Sequence, residues 1–451
     1  MNIFGEPNLT PLYTDLEPFE IYRSISYNQE DSFLFESLDR PRRLAEITVM
    51  GFAPVSKIRG YSDYITVQRN NNNNTTTHRT DDPFGALQEM MRTSTYDKYR
   101  YMGGAVGIVN YDAVTLTEEL PRAHHIPQPL FEFGLYDDGI LIDNHTGETF
   151  YFWYDTDRSH ILDNMQVQQH RRFQTTTPKP ETDINQFTEM INRAHRYIYD
   201  GDIFQVVLSR RFSFDITGDP LELYARLRHL NPSPYMFHLK QGSRVTIGAS
   251  PEMLIRITKN HVETFPIAGT RPIGDTKEET ARLAEELKSN IKELAEHTML
   301  VDLGRNDIGR VCKYGTVKPI SLMEVKRFSH VQHLVTHVAG EMDTRYNMFD
   351  AFKAVFPAGT VTGAPKVRAM EIIDELESKS RGPYAGAVGY FSYNGCCDFA
   401  IAIRSIFIQD GKGIVQSGAG IVSDAKPAQE FAETEKKSGA MLQAVMDGAE
   451  T

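Results

Sequence analysis

The stretch AGAVGYFSYNGCCDFAIAIRSIFIQDGKGIVQSGAGIV (residues 385–422) decides the fold class. Its apolar runs AGAVGYFSYNG, FAIAIRSIFIQ and GIVQSGAGIV are set off by Asn394-Gly395 and Asp410-Gly411. Such dipeptides between β-prone runs are the strongest local hairpin signal, because their residues tolerate the positive φ of a tight turn. Antiparallel strands are therefore expected. SRVTIGASPEMLIRI (243–257) reads as another strand, and ITVMGFAP, GGAVGIVNYD and TFYFWYD as shorter ones nearer the start. Long helical segments lie between the strand-like runs of the second half. In KEETARLAEELKSNIKELAEHTMLVDL (277–303), Leu283, Leu287, Ile291 and Leu294 recur at helical spacing and predict one apolar stripe. AQEFAETEKKSGAMLQAVMDG (428–448) opens after Pro427 with acidic residues in its first turns, where the helix dipole favours them. Hairpins mixed with helices predict an α+β fold rather than a doubly wound parallel sheet.

Two polar segments punctuate this pattern. QRNNNNNTTTHRTDD (68–82) has no apolar face to bury and predicts an exposed loop. FQTTTPKPETD (173–183) reads as a linker between an N-terminal region, 1–175, and a second domain, 184–448. At 451 residues the chain exceeds one ordinary domain, and 40% apolar with 24% charged residues places it among globular proteins. A net charge of −12 argues against a nucleic-acid groove. An acidic protein that handles an anion must build a local positive site from metal or arginine. Three cysteines, two of them adjacent, give no disulfide framework and point to a reducing compartment. The opening MNIFGEPNLTPLYTDLEPFE lacks the features of a signal peptide, and no run of about 18 apolar residues exists to span a bilayer. A cytoplasmic location is expected, with neither membrane nor nucleic acid as partner.

Chemistry enters with two matched carboxylate pairs. Glu293 and Glu296 in NIKELAEHTML, and Glu430 and Glu433 in PAQEFAETEKKSGAML, share an E-x-A-E pattern inside helical runs. Residues three apart on a helix project from one face, and Lys437 continues the second stripe. Taken singly, each pair reads as a solvated helix face. Were the two pairs to converge, four anionic groups would have to take up protons or share a cation. Carboxylate oxygens with water suit Mg²⁺ better than Zn²⁺.

The motifs FPIAGTRPIG, KELAEHTMLVDLGRNDIGRV, SHVQHLVTHVAG, FPAGTVTGAPKVRAMEII, YAGAVGYFSYNG, IAIRS and VQSGAGIVSDAKPAQEFAETEKK, taken together and in order, resemble the chorismate-utilising enzymes. Within that family they are most similar to the large synthase subunits of anthranilate synthases. The resemblance covers residues from about 186 to 446 and implies antiparallel sheets packed together with helices on the outside. GTVTGAPK lacks the G-x-x-x-x-G-K-[ST] order of a phosphate loop, which excludes a nucleotide site there.

The resemblance implies Mg²⁺ held by Glu296 and Glu433 and supported by Glu293 and Glu430, clamping the ring carboxylate of chorismate. Arg404, Tyr384 and Lys437, with the backbone at Gly418, Ala419 and Gly420, match positions that hold the enolpyruvyl carboxylate. Arginine suits that task because its planar fork meets a carboxylate bidentately. Glu252 matches the general acid and His333 the base; Thr360, Gly269 and Thr270 match substrate contacts. Ala268 stands where aminodeoxychorismate synthases carry a nucleophilic lysine, and Gln205 where isochorismate and salicylate synthases carry a lysine base. Both substitutions point to ammonia as nucleophile and anthranilate as product. The alternatives are an aminodeoxychorismate synthase and a catalytically silent tryptophan- or metal-sensing relative.

No glutaminase nucleophile elbow is present, so a separate glutamine amidotransferase subunit is expected to supply ammonia. FLFES (33–37) and NPSPYMF (231–237) resemble the two halves of a tryptophan-sensing site, built from Glu36, Ser37, Pro234, Tyr235 and Met236, with L-tryptophan as inhibitor. Phe35 replaces a leucine of that motif. Ile273 and Gly304 also depart from the family pattern, where arginine and alanine are usual.

Overall fold

The computed structural model describes residues 3–38, 46–70, 74–121, 124, 129–163, 165–166, 171–327 and 331–447. Among them, two antiparallel sheets of 13 and 12 strands form the framework, as the α+β reading predicts. The 13-stranded sheet runs from Gln205–Gly218 through Lys412–Ile421, Ser405–Gln409, Arg244–Ser250 and Tyr235–Gln241 to Asp31–Glu36 and Ile47–Phe52. The other runs from Ile267–Pro272 through Val331–Glu341, His261–Thr264, Met253–Thr258, Cys397–Ile401 and Ala387–Ser392 to Gly104–Val109 and Phe131–Tyr136. Segments before and after the polar stretch 173–183 contribute strands to both sheets. That stretch itself pairs through Phe173–Thr175 and Lys179–Pro180 with Gln205–Gly218.

Aromatic side chains from facing strands close the space between the sheets. Phe33 of one sheet meets Tyr136 of the other edge to face, with ring centroids 4.9 Å apart. Phe133, Phe391 and Phe399 extend the same cluster. Such pairs contribute about 0.5–1.5 kcal/mol each beyond their area. The Ile291–Gly309 helix packs on Val331–Glu341, and the Pro427–Met446 helix on Lys412–Ile421.

Both hairpin turns form. Asp410 and Gly411 have φ of +49° and +76°, the conformation that joins Ser405–Gln409 to Lys412–Ile421. Four sequence expectations need correction. FAIAIRSIFIQ is two strands, Cys397–Ile401 in one sheet and Ser405–Gln409 in the other, with the chain crossing at 402–404. SRVTIGASPEMLIRI divides likewise into Arg244–Ser250 and Met253–Thr258, crossing at Pro251 and Glu252. Continuous apolar character does not reveal a change of sheet, because both halves are buried.

The stripe across 277–303 breaks as well. Helices span Lys277–Ser289 and Ile291–Gly309, and Asn290 caps the second by accepting from the N–H groups of Lys292 and Glu293 at 3.1 Å each. A cap wins because it satisfies N–H groups that a helix start leaves unpaired. Leu287 is buried but Ile291 is 83% exposed. Residues 74–79 are exposed, yet Thr75–Arg79 pairs with Tyr64–Arg69 as an edge strand. Threonine's β-branched chain favours extended backbone, and an edge strand needs no apolar face. Residues 71–73 lie outside the described residues.

Candidate active site at the sheet crossovers

The two crossovers lie side by side. The Ile401 N–H donates to Glu252 O at 3.0 Å, and the Ala249 N–H to Arg404 O at 3.1 Å. Glu252 and Arg404 are thus placed together where the strands leave one sheet for the other. Arg404 takes the left-handed conformation, φ +52°, which is uncommon for a residue with a Cβ and marks a constrained turn.

Glu252 is 7% exposed and lines a narrow cavity with Thr264, Pro266, Leu300, Leu303 and Thr360. Burial pushes its carboxyl up to about 8; the Thr360 hydroxyl and Lys437 only partly oppose this. Thr360 Oγ1 is itself buried without a partner in hydrogen-bonding geometry. The arrangement holds a protonated carboxylic acid at neutral pH beside an unsatisfied hydroxyl. Gly304 also lines the cavity, and a Cβ there would come within 3.2 Å of Pro266 Cγ.

Arg404 donates through Nη1 to Lys437 O at 2.7 Å. Among the described residues it has no carboxylate at ion-pair distance. Burial lowers its guanidinium pKa, with Tyr384 and Glu433 near enough to offset part of that effect. A half-buried arginine with no carboxylate at ion-pair distance is a prepared place for one. Tyr384 is buried against it, and burial pushes its phenol up to about 12.

Strand Lys412–Ile421 adds the glycines. A Cβ on Gly418 would lie 2.8 Å from the Tyr384 hydroxyl, and one on Gly420 2.5 Å from Gln205 Nε2. Ala419, between them, turns the other way and packs in the core with Phe187, Ile191 and Ala369. Only its backbone faces the cleft. Lys437 donates to Gly418 O at 3.0 Å and pairs with Glu433 at 2.7 Å.

The E-x-A-E helices approach each other. Glu296 is raised by burial first, then by the charges of Glu293 and Glu433, while Gln205 donates to it at 3.1 Å. Burial and the charges of Glu433 and Glu296 push Glu430 up to about 7. The pairs therefore repel one another across a shared cleft. Side chains of the protein's own answer part of this charge: Lys437 on Glu433, and Arg271 on Glu293 at 3.0 Å. No three of the four carboxylates have oxygens mutually within 4.8 Å. The donor set is all hard oxygen under mutual repulsion, which fits a divalent cation of the Mg²⁺ type.

His333 stands on the neighbouring strand. Its Nδ1 lies 2.8 Å from Gly269 O and 3.1 Å from Thr270 Oγ1. Donation from Nδ1–H to the carbonyl leaves Nε2 as the basic nitrogen. Burial holds the ring down to about 4, so it is neutral at physiological pH. Gly269 has φ +64°, and a Cβ there would meet Glu293 Oε2 at 2.8 Å. His297, by contrast, is fully buried against Thr336 and structural. Lys366 of GTVTGAPK is paired with Asp307 at 2.7 Å, a structural role for the lysine of that motif.

Sequence reasoning missed Arg271, which ties Glu293 to Glu286, and Lys292, which joins the first carboxylate helix to Asp424. Neither has a spacing that signals it. The residues read as a tryptophan site are placed elsewhere. Met236 lies opposite Glu36 in a strand pair, and Ser37 follows at its end. Glu36 accepts from Tyr224 at 2.7 Å and from Arg228 at 2.8 and 3.1 Å. Tyr235, just after Pro234, donates to Asp398 at 2.9 Å.

Residues 17–443 match the family model described as chorismate binding enzyme. The component 1 subunit of anthranilate synthase from Methanothermobacter thermautotrophicus is 43% identical, covering 99% of this chain and 96% of that one. The corresponding subunit from Saccharolobus solfataricus is 38% identical over 96% of this chain and 98% of its own. Among solved structures, anthranilate synthase component I from Streptococcus pneumoniae superposes with a TM-score of 0.78 at 34% identity, over 88% of this chain and 92% of that one. The menaquinone-specific isochorismate synthase of Escherichia coli shares the fold, with a TM-score of 0.75 at 18% identity, over 99% of this chain and 96% of its own. The chain belongs to the chorismate-binding enzymes and, within them, to the component 1 subunits of anthranilate synthase. Among the described residues no helix is long and apolar enough to cross a membrane.

Proposed function

We propose that this enzyme converts chorismate and ammonia to anthranilate and pyruvate, the first committed step toward tryptophan. The observation that carries this reading is the juxtaposition of a buried, protonated Glu252 with an arginine that has no carboxylate at ion-pair distance among the described residues, on a chain related throughout to component 1 subunits. Ammonia adds at C2 of the ring while the C4 hydroxyl departs. Hydroxide leaves poorly, so Glu252 supplies the proton and water departs. A positioned acid of this kind contributes about 10²–10⁴-fold. His333 Nε2 then takes the C2 proton, the C3–oxygen bond breaks, and pyruvate is released as the ring becomes aromatic. A ring neutral above about 4 accepts that proton at working pH.

Arg404, Tyr384 and Lys437 orient the enolpyruvyl carboxylate, and the absence of side chains at Gly418 and Gly420 lets it approach the strand. Glu296 and Glu433 would hold Mg²⁺, supported by Glu293 and Glu430; the ion supplies positive charge for the ring carboxylate. Gln205, already bonded to Glu296, cannot serve as a base for water. Ala268 offers no amine. Both leave ammonia as the nucleophile. A separate amidotransferase subunit supplies it from glutamine, and tryptophan binds at Glu36, Ser37, Pro234, Tyr235 and Met236 as inhibitor in a cytoplasmic enzyme.

Chorismate, Mg²⁺ and an ammonium salt at mildly alkaline pH are expected to give fluorescent anthranilate. Recovery of 4-amino-4-deoxychorismate or isochorismate by mass spectrometry would overturn the assignment. Glutamine should replace ammonium only when the amidotransferase is added. Activity indifferent to millimolar tryptophan would remove the regulatory part alone.

A further inference from the structure

Away from the glutamate cleft, His261, Glu263 and His337 bring three ligand atoms within 4.8 Å of one another. They are the one such histidine, cysteine and carboxylate group among the described residues. His261 and Glu263 are two apart on one strand and so share a face. Glu263 pairs with Ala339 on the adjacent strand, which puts His337 one diagonal step away. Glu263 Oε1 is 2.7 Å from His337 Nε2 and 3.9 Å from His261 Nε2. Two ligands bound tetrahedrally to one ion at about 2.1 Å lie about 3.4 Å apart, between those two separations.

The second observation concerns His337. Its side chain is 8% exposed, and Nε2 approaches Glu263 off the direction a hydrogen bond needs, leaving that nitrogen unsatisfied. Buried polar atoms of this kind are uncommon and mark the place of a missing partner. Phe265 stacks on the imidazole at 4.3 Å with an 8° interplanar angle, holding the ring toward Glu263. The opposing cation is Arg256, across the strand pair from Glu263, and Asp398 at 2.7 Å already neutralises it.

We propose that His261, Glu263 and His337 form a second metal site, specific for a borderline transition ion of the Zn²⁺ class and distinct from the carboxylate cleft. Two imidazoles and one carboxylate favour Zn²⁺, Co²⁺ or Ni²⁺ over Mg²⁺, which prefers oxygen and keeps its water. His261 is half-exposed, so a fourth position stays open to solvent. The bound ion joins His261–Thr264 to Val331–Glu341, the strand that carries His333, and stabilises the folded chain in proportion to its occupancy.

The test titrates Zn²⁺ into the chelator-stripped full chain by calorimetry and repeats it with Co²⁺, whose visible band reports nitrogen ligation. One equivalent should bind the wild type and persist in Glu433→Gln, with Mg²⁺ failing to displace it. His261→Ala, at an exposed position outside the catalytic cleft, should weaken Zn²⁺ at least tenfold, lose the Co²⁺ band and leave ammonium-dependent activity unchanged. Glu263→Gln should act in the same direction. Absence of stoichiometric binding, a loss smaller than tenfold in His261→Ala, or binding abolished in Glu433→Gln overturns the proposal.

Discussion

The crossover cleft and the strand pair around Glu36 both bury acidic and basic side chains, and they treat them oppositely. Glu36 is satisfied by Arg228 and Tyr224 through three hydrogen bonds. In the cleft Glu252 is held neutral, Arg404 has no carboxylate at ion-pair distance among the described residues, and Glu296 and Glu430 are raised first by burial and then by neighbouring carboxylates. Burying a charge without a partner is costly. A fold that tolerates several such costs in one place has that place prepared for a ligand that brings the missing charges. Where every charge is matched, a ligand must first displace a neighbour.

The largest effect expected from breaking this contrast is in Glu252→Gln, which removes the proton donor while keeping shape. Its kcat with chorismate and ammonium should fall by about 10²–10⁴. Stability should move with pH. Between 4.5 and about 8 the native wild type keeps a proton that the unfolded chain releases, so its stability falls as pH rises through that window. Glutamine has no such dependence. Denaturant midpoints should therefore shift in the variant's favour between pH 5 and 8, and parallel curves for the two proteins would refute a buried neutral acid.

Next in size is Glu433→Gln, for which a loss of about 10²–10³ in kcat is expected, with native circular dichroism retained. Removing that charge should also lower the Glu430 carboxyl, which Glu433 helps to raise, and carboxyl-carbon NMR reads this directly. An unmoved Glu430 would mean that the two carboxylates of the Pro427–Met446 helix do not act on each other across one face. Glu36→Ala should cost stability instead of turnover, about 2 kcal/mol in urea, because Arg228 and Tyr224 lose their acceptor. Partial solvation of Arg228 keeps the loss below that of a wholly buried pair. Smallest of all, Thr77→Ala on the exposed edge strand should change stability by less than about 0.5 kcal/mol.

Elements with a local physical signal were legible before any coordinates. The Asp410-Gly411 turn follows from the φ values those residues tolerate, and the E-x-A-E faces from the helical repeat. Arg271 and Lys292 were not legible, because their partners Glu293 and Asp424 meet them only after distant strands and helices pack. The break at Asn290 was missed for a different reason. Helical periodicity runs through the residue, and only the competition between continuing one helix and capping another settles the matter.

Sequence alone determined the classes of element, the two carboxylate faces and the family, since each depends on residue type at short spacing or on motifs in order. Tertiary structure decided where the chain changes sheet, at 251–252 and 402–404, and hence that Glu252 and Arg404 stand on adjacent crossovers. The reason is that strands buried on either side of a crossover have the same apolar pattern. Which sheet each joins depends on the free energy of packing two whole faces together, and no local run of residues encodes it.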